Sequence, residues 1–149
     1  MNRIQSKPPS SCSARSRGCA SAGAEKEPPI EQLLATADPK RGEDSAKVCG
    51  ACHTFDKGGA AKVGPNLWGV VGRARATMSG FDYSSGMKAM GGTWTVDDLN
   101  QFLAHPQTTV TGTKMTFNGL SRPQVRADLI AYLNTLSDNP QPLPKATGG

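Results

Sequence analysis

At 149 residues the chain has room for one domain of ordinary size, and its thin apolar share (36% hydrophobic, 5% aromatic) implies a polar tail, a core completed by something other than side chains, or both. The formal charge of +5 is not a nucleic-acid footprint: residues 1–30 hold a net +3, the rest only +2, and no basic stripe is interleaved with aromatics. No apolar run approaches the ~18 residues of a membrane span, and the opening residues lack the apolar h-region of a secretory signal, so neither an anchor nor an export address is expected within them.

In chain order, residues 1–37 read as a disordered tail and linker. Ser6 to Ala24 is Ser, Pro, Ala, Gly and Arg without helical or strand period, and a charged, proline-containing stretch follows, with one helical turn conceivable over Glu31 to Ala35. Asp38-Pro39 supplies an N-cap and a proline at the first helical position, predicting a helix that runs to about Cys49. A shorter helix is expected over Tyr83 to Met90. Another starts at Thr95, with Val96, Leu99, Phe102 and Leu103 as its apolar face, and stops before Pro106. Ser121-Arg122-Pro123-Gln124 reads as a capping box that opens an amphipathic helix through Val125, Leu129, Tyr132, Leu133 and Leu136. Residues 138–149 read as a disordered C-terminal tail.

All eight aromatic residues fall between Phe55 and Tyr132, which places the packed core there. Between the helices the chain is rich in Gly, Pro and Asn, and no run alternates like a strand. The expectation is an all-α domain over residues 38–137, with three to five short helices and long loops. Such helices bury little surface, and a loop such as Asp56 to Ala76 would strand backbone polar groups if buried. Something central, large and apolar would resolve both difficulties.

Cys49-Gly50-Ala51-Cys52-His53 is the one strong motif. Two thiols three positions apart can both bond to the vinyl groups of one porphyrin, and the adjacent histidine then lies beneath the iron as its proximal ligand. Three other readings compete with it. Zinc needs two more ligands, but Cys12 and Cys19 stand in the N-terminal tail and His105 stands alone. A thioredoxin-like dithiol needs a βαβ setting, which the pattern lacks, and a structurally inert cysteine pair is the third. Covalent haem c, one per chain, is the reading the residues favour. For the opposite axial position the chain offers His105 and five methionines. Met78, Met87 and Met90 suit gap-filling in a core, whereas Met115 stands in a polar, extended loop, Val110 to Phe117, where a thioether needs a ligand to explain it.

From Asp38 to Leu136 the chain resembles the class I cytochromes c, particularly bacterial members related to the mitochondrial protein. The matching segments are Cys49 to His53, Lys57-Gly58-Gly59, Gly64 to Gly69, Gly72-Arg73, Phe81 to Ser84, Gly92 to Thr95, Gly112 to Met115 and Asp128 to Leu133. The resemblance implies the class I cytochrome c fold, with loops wrapped round a haem ligated by His53 and Met115. It implies that the Pro65 carbonyl accepts from the free ring nitrogen of His53, that Tyr83 and Trp94 reach the haem propionates, and that Arg73 offsets their charge. Thr113 would hold Met115 towards the iron, Phe117 would seal the haem edge, and Gly42 would let the first helix cross the last near Tyr132. Phe102 departs from the family's usual tyrosine, and Thr111 stands where a proline often stiffens the methionine loop. The stretch Pro28 to Leu34 looks like the linker of members held to the membrane by an N-terminal anchor.

The function expected is that of a monomeric one-electron carrier rather than an enzyme. It would accept from a quinol-oxidising cytochrome bc complex and donate to a terminal oxidase on the periplasmic side of the bacterial membrane. Lys47, Lys57, Lys62, Lys88 and Lys114 could form a ring that steers acidic partners. The alternative is an open-site haem protein acting on peroxide or a small gas, should Met115 not ligate.

Overall fold

A computed structural model describes residues 27–144, and its first helix begins before the expected domain boundary. Helix α1 covers Ile30–Leu34. Ile30 is 1% exposed and Leu34 4% exposed, both within the main core cluster. The part of the expected linker that lies within the described residues is therefore folded: two apolar residues one turn apart are buried against helices from the far end of the chain. Residues 1–26, with Cys12 and Cys19, lie outside the described residues.

Helix α2, Pro39–Ala46, starts as its sequence predicts, with the Asp38 carboxylate accepting from the Lys40 N–H at 2.9 Å and proline in the first turn. It ends three residues short of Cys49. Beyond Ala46 the bonds tighten, Lys47 N to Asp44 O, Gly50 N to Lys47 O and Cys52 N to Cys49 O, and a 3₁₀ turn forms over Cys49–Ala51. Helix α3 is Ser85–Met90, capped by the Ser84 hydroxyl, and α4 is Val96–Ala104, capped by the Thr95 hydroxyl. A short helix α5, Pro106–Thr109, follows directly, since proline ends α4 yet fits the first turn of the next helix.

Helix α6, Pro123–Thr135, opens differently from the expected capping box. Arg122 occupies the cap position without a side-chain bond, because Pro123 takes the first helical position. The Gln124 amide instead donates to Leu33 O and to Asp128 Oδ1, each at 3.2 Å. Nor is α6 a one-faced helix. Arg126, Asp128 and Asn134 are buried along with Ala127, Leu129, Ile130, Ala131 and Leu133, because α1, α2 and α4 all pack on it. Its central contact is with α2, where Gly42 is required: a Cβ there would strike the Asp128 carbonyl and come within 2.8 Å of Tyr132 Cβ. Asn134 and Gln141 exchange bonds of 2.8 and 2.9 Å, and Leu143 packs on the core. Residues 138–144 are thus docked, not a disordered tail.

Among the described residues there is no strand, only one antiparallel bridge between Ala74 and Thr93, so the class is all-α. The long loop from Asp56 to Ala76 meets its backbone requirement partly by cross-links. Leu67 N donates to Thr54 O at 2.9 Å, Gly69 N to Leu136 O at 2.6 Å and Gly72 N to Trp94 O at 2.7 Å. Asn66, 7% exposed, adds side-chain bonds to Thr54 and to Asp56 O. No described helix is long and apolar enough to cross a membrane.

Candidate functional site

The loops and helices enclose a cavity of about 280 Å³. Its walls are mostly apolar, built from Leu67 and Val70, Met87 of α3, Leu99, Phe102 and Leu103 of α4, and Leu129 and Leu133 of α6. All ten residues singled out from the sequence line it: Cys49, Cys52, His53, Pro65, Arg73, Tyr83, Trp94, Thr113, Met115 and Phe117. The cavity therefore joins a thiol pair, an imidazole and a thioether brought from positions 49 to 115 of the chain. His105 does not line it; it is exposed at the junction of α4 and α5.

His53 lies with Nδ1 2.7 Å from the Pro65 carbonyl oxygen. At that distance the ring nitrogen carries the hydrogen and donates it, so the lone pair rests on Nε2. Burial holds the imidazole below its usual range against the pull of the Pro65 bond, and the nearby Arg73 and Lys62 cations act in the same sense as burial. Gly64 makes the placement possible, since a Cβ there would overlap the ring at Cε1 and sit 2.7 Å from Nδ1. The segment is tied down by Gly64 N to Cys52 O at 2.8 Å and Lys62 Nζ to Gly50 O at 2.8 Å.

The polar side of the cavity carries Arg73, Tyr83 and Trp94. Arg73 Nη1 donates to Asn66 O at 2.9 Å and Trp68 O at 3.1 Å, and no carboxylate pairs with it among the described residues. Burial lowers its pKa, opposed by Tyr83. The Tyr83 oxygen accepts from Met78 N at 3.1 Å, which leaves its own hydrogen to be given elsewhere. Met115 is reached by a loop whose order has two sources. Thr113 Oγ1 accepts from Met115 N at 3.3 Å, and Gln107 Nε2 donates to Met115 O at 3.2 Å and to Phe117 O at 2.7 Å. Gln107, on α5, was not legible in the sequence, where it is one more polar residue after a proline. It braces the loop that carries threonine at 111.

The residues fit haem c. An apolar slot suits the porphyrin faces, two thiols suit its vinyl groups, and a half-buried cation with no carboxylate partner among the described residues suits its propionates. Among the described residues no group of three or more His, Cys, Asp and Glu side chains could hold a metal ion. The βαβ unit that a thioredoxin-like dithiol needs is also absent from them.

The lysines are less available than expected. Lys47 pairs with Asp44 at 2.7 Å, Lys57 with Asp138 at 2.9 Å, and Lys114 and Lys88 share Asp82 at 2.7 and 3.6 Å. These hydrogen bonds hold the Asp44, Asp82 and Asp138 carboxyls below their ordinary range. Of the five, Lys62 alone has no carboxylate partner among the described residues. Two of the most exposed large apolar side chains, Val48 at 59% and Val63 at 71%, also line the cavity.

Comparison with known proteins matches residues 39–137 to the family model for cytochrome c. The chain is 55% identical over 131 residues to a cytochrome c homolog of Bradyrhizobium diazoefficiens, covering 87% of this chain and 70% of that protein. It is 48% identical over 108 residues to the c-type cytochrome cy of Rhodobacter capsulatus, covering 72% of this chain but only 53% of that protein. Among solved structures, cytochrome cH from Methylobacterium extorquens superposes with a TM-score of 0.62 at 44% identity, covering 66% of this chain and 99% of its own.

Proposed function

The chain belongs to the cytochrome c family, carries haem c through Cys49 and Cys52 and transfers electrons, and on that premise we propose a one-electron carrier with a closed, six-coordinate site. When bound, the haem supplies an iron that cycles between Fe(II) and Fe(III). His53 would hold it through Nε2, its tautomer set by Pro65, and Met115 would hold it through the thioether, which favours Fe(II). Tyr83, Trp94 and Arg73 would take up the propionates, and Thr113 with Gln107 would keep Met115 in place. The observation that carries this reading is the convergence of Cys49, Cys52, His53 and Met115 on one apolar cavity.

With His53 and Met115 both holding the iron, no position would be left open to a substrate, and rigid ligands would keep the reorganisation cost of electron transfer small. The partners proposed are a quinol-oxidising cytochrome bc complex as donor and a terminal oxidase as acceptor. The place is the periplasmic side of the membrane, where haem is attached to this motif. Docking would centre on the apolar rim of Val48 and Val63, with little net help from the paired lysines.

An absorption spectrum of the holo-protein tests the proposal. Sharp α and β bands on reduction, with a weak near-infrared sulfur-to-iron band when oxidised, are expected. Met115→Ala is expected to abolish the near-infrared band and to create carbon monoxide binding that the parent lacks. A parent protein that is high-spin and binds carbon monoxide would overturn the closed-site reading in favour of ligand chemistry.

A further inference from the structure

Arg75 is a nearly buried cation that none of the roles above uses. Its side chain is 7% exposed, pairs through Nη2 with Asp98 Oδ2 at 2.6 Å and donates from Nη1 to Gly91 O at 2.6 Å. Its guanidinium carbon lies 4.7 Å from the centre of the Trp94 ring. Its Nε finds no hydrogen-bond partner among the described residues. The backbone repeats the grip, with Arg75 N donating to Gly92 O at 2.9 Å beside the Ala74–Thr93 bridge. Asp98 is aimed by the Thr95 hydroxyl, which donates to its Oδ2 at 2.7 Å. Trp94, 6% exposed, packs on Phe102 with ring centres 5.2 Å apart, and both rings line the cavity.

A guanidinium loses hydration when it is buried, and an apolar residue of similar volume could fill the same space at less cost. What an apolar residue could not supply is a fixed positive charge on the face of an aromatic wall. We propose that Arg75 is a positioning residue for electron transfer: it pins the Trp94 indole against the cavity and sets a positive charge beside it, raising the reduction potential of the site. The sign follows from electrostatics. The oxidised site carries one more positive charge than the reduced one, so a cation held in a low-dielectric wall penalises the oxidised state. A cation on the ring face also makes the indole N–H a stronger donor, which draws charge from the propionate it would meet, in the same direction. Asp98, 37% exposed, is the more solvated partner and offsets the charge only in part.

This inference rests on the carrier reading, and its test separates the two. The experiment is an equilibrium redox titration of the holo-protein and of Arg75→Gln, Arg75→Lys and Asp98→Asn, with thermal midpoint and near-infrared band recorded for each. Arg75→Gln is expected to lower the midpoint potential. Arg75→Lys should restore it part of the way, and Asp98→Asn should raise it, because Gly91 and the indole still hold the unmasked guanidinium. The near-infrared band should persist in all four proteins. If Arg75→Gln and Asp98→Asn move the potential in the same direction, or change only the thermal midpoint, Arg75 is a structural brace and the proposal is overturned. Should Arg75→Gln fail to accumulate with haem, Asp98→Asn decides alone, and an unmoved or lowered potential overturns it. Failure of the carrier reading looks different, as carbon monoxide binding by the unsubstituted protein.

Discussion

Replacing Ile30 with alanine asks whether a helix lying before the matched domain is part of its core. Ile30 is 1% exposed, its neighbour Leu34 is 4% exposed, and both pack in the cluster that contains Leu129 and Ile130. Ile→Ala in a core costs about 2–5 kcal/mol, and a site on a five-residue helix near the start of the described chain can relax, so about 3 kcal/mol is expected. Set against a typical stability of roughly 5–15 kcal/mol, that is a large share. At roughly 4 °C per kcal/mol for a domain of this size, the thermal midpoint should fall by about 12 °C. The assay is guanidinium unfolding of oxidised holo-protein followed by far-UV circular dichroism, with Glu31→Ala, exposed on the same helix, as the control expected within about 0.5 kcal/mol of the parent. Glu27→Gln adds a second probe. Glu27 is the carboxylate partner of Arg126, which is 1% exposed, and since Glu27 itself is half exposed the expected loss is about 1 kcal/mol. An Ile30→Ala protein within about 0.5 kcal/mol of the parent, at unchanged denaturant slope, would show that α1 does not contribute to the core and refute the reasoning.

Gly64→Ala should displace the His53 ring from Pro65, because the new methyl overlaps Cε1, and a lower yield of low-spin haem per polypeptide is the measured outcome. Asp128→Asn should cost about 2 kcal/mol at pH 7, since the carboxylate, nearly buried, accepts from Asp38 N and Arg41 Nε at 2.9 Å and from Gln124 at 3.2 Å. Burial raises the Asp128 carboxyl, but the Arg41, Asp38 and Gln124 bonds outweigh it and hold the group below the ordinary range. Its contribution is therefore complete above about pH 4 and lost as the pH falls through the folded-state value, so parent and Asp128→Asn stabilities should converge in acid titration. Oxidation of the reduced protein by oxidase-containing membranes should slow less than about threefold between roughly 10 and 100 mM ionic strength, because four of the five lysines meet carboxylates on their own chain. A fall beyond about tenfold would mean that an uncompensated lysine ring steers the encounter.

What could be read from the sequence was what local chemistry demands of neighbouring residues. Two thiols and a histidine must be contiguous to serve one porphyrin, so Cys49 to His53 announced itself, and Asp38 with Pro39 marked the start of α2 because capping is settled within three residues. Gln124 shows the limit of such rules. Its capping-box position was overridden by Pro123, and its amide bonds instead to Leu33, 91 positions away. The lysine pairings escape a sequence reading for the same reason, since Lys57 meets Asp138 across 81 positions and Lys114 meets Asp82 across 32. Helix α1 was legible as one turn over Glu31 to Ala35, but its burial in the core was hidden by composition. Pro28-Pro29 and a charged stretch precede it, and Ile30 and Leu34 supply only one turn of apolar spacing, too few positions to establish a period.

The two halves of the core answer to different forces. Around α6 the burial is made by the polypeptide alone: α1 covers one part, α2 crosses at Gly42, and Asn134 with Gln141 fixes the returning chain. Ile30, Leu34 and Leu143 lie outside the 39–137 span, so this seam is extended by residues the shared domain does not include. Around the cavity the opposite holds, because Leu67, Val70, Leu99 and Phe102 face a space of about 280 Å³ that no side chain fills. An apolar cavity of that size is costly in a protein whose own apolar content is low, and the stabilisation of the loop wall must come from the group that occupies it. Haem loss should therefore loosen the loops from 54 to 76 and 110 to 120 before it disturbs the α1–α2–α6 seam. The thin apolar composition of the chain records that division, since the cofactor takes the place of core that the side chains would otherwise provide.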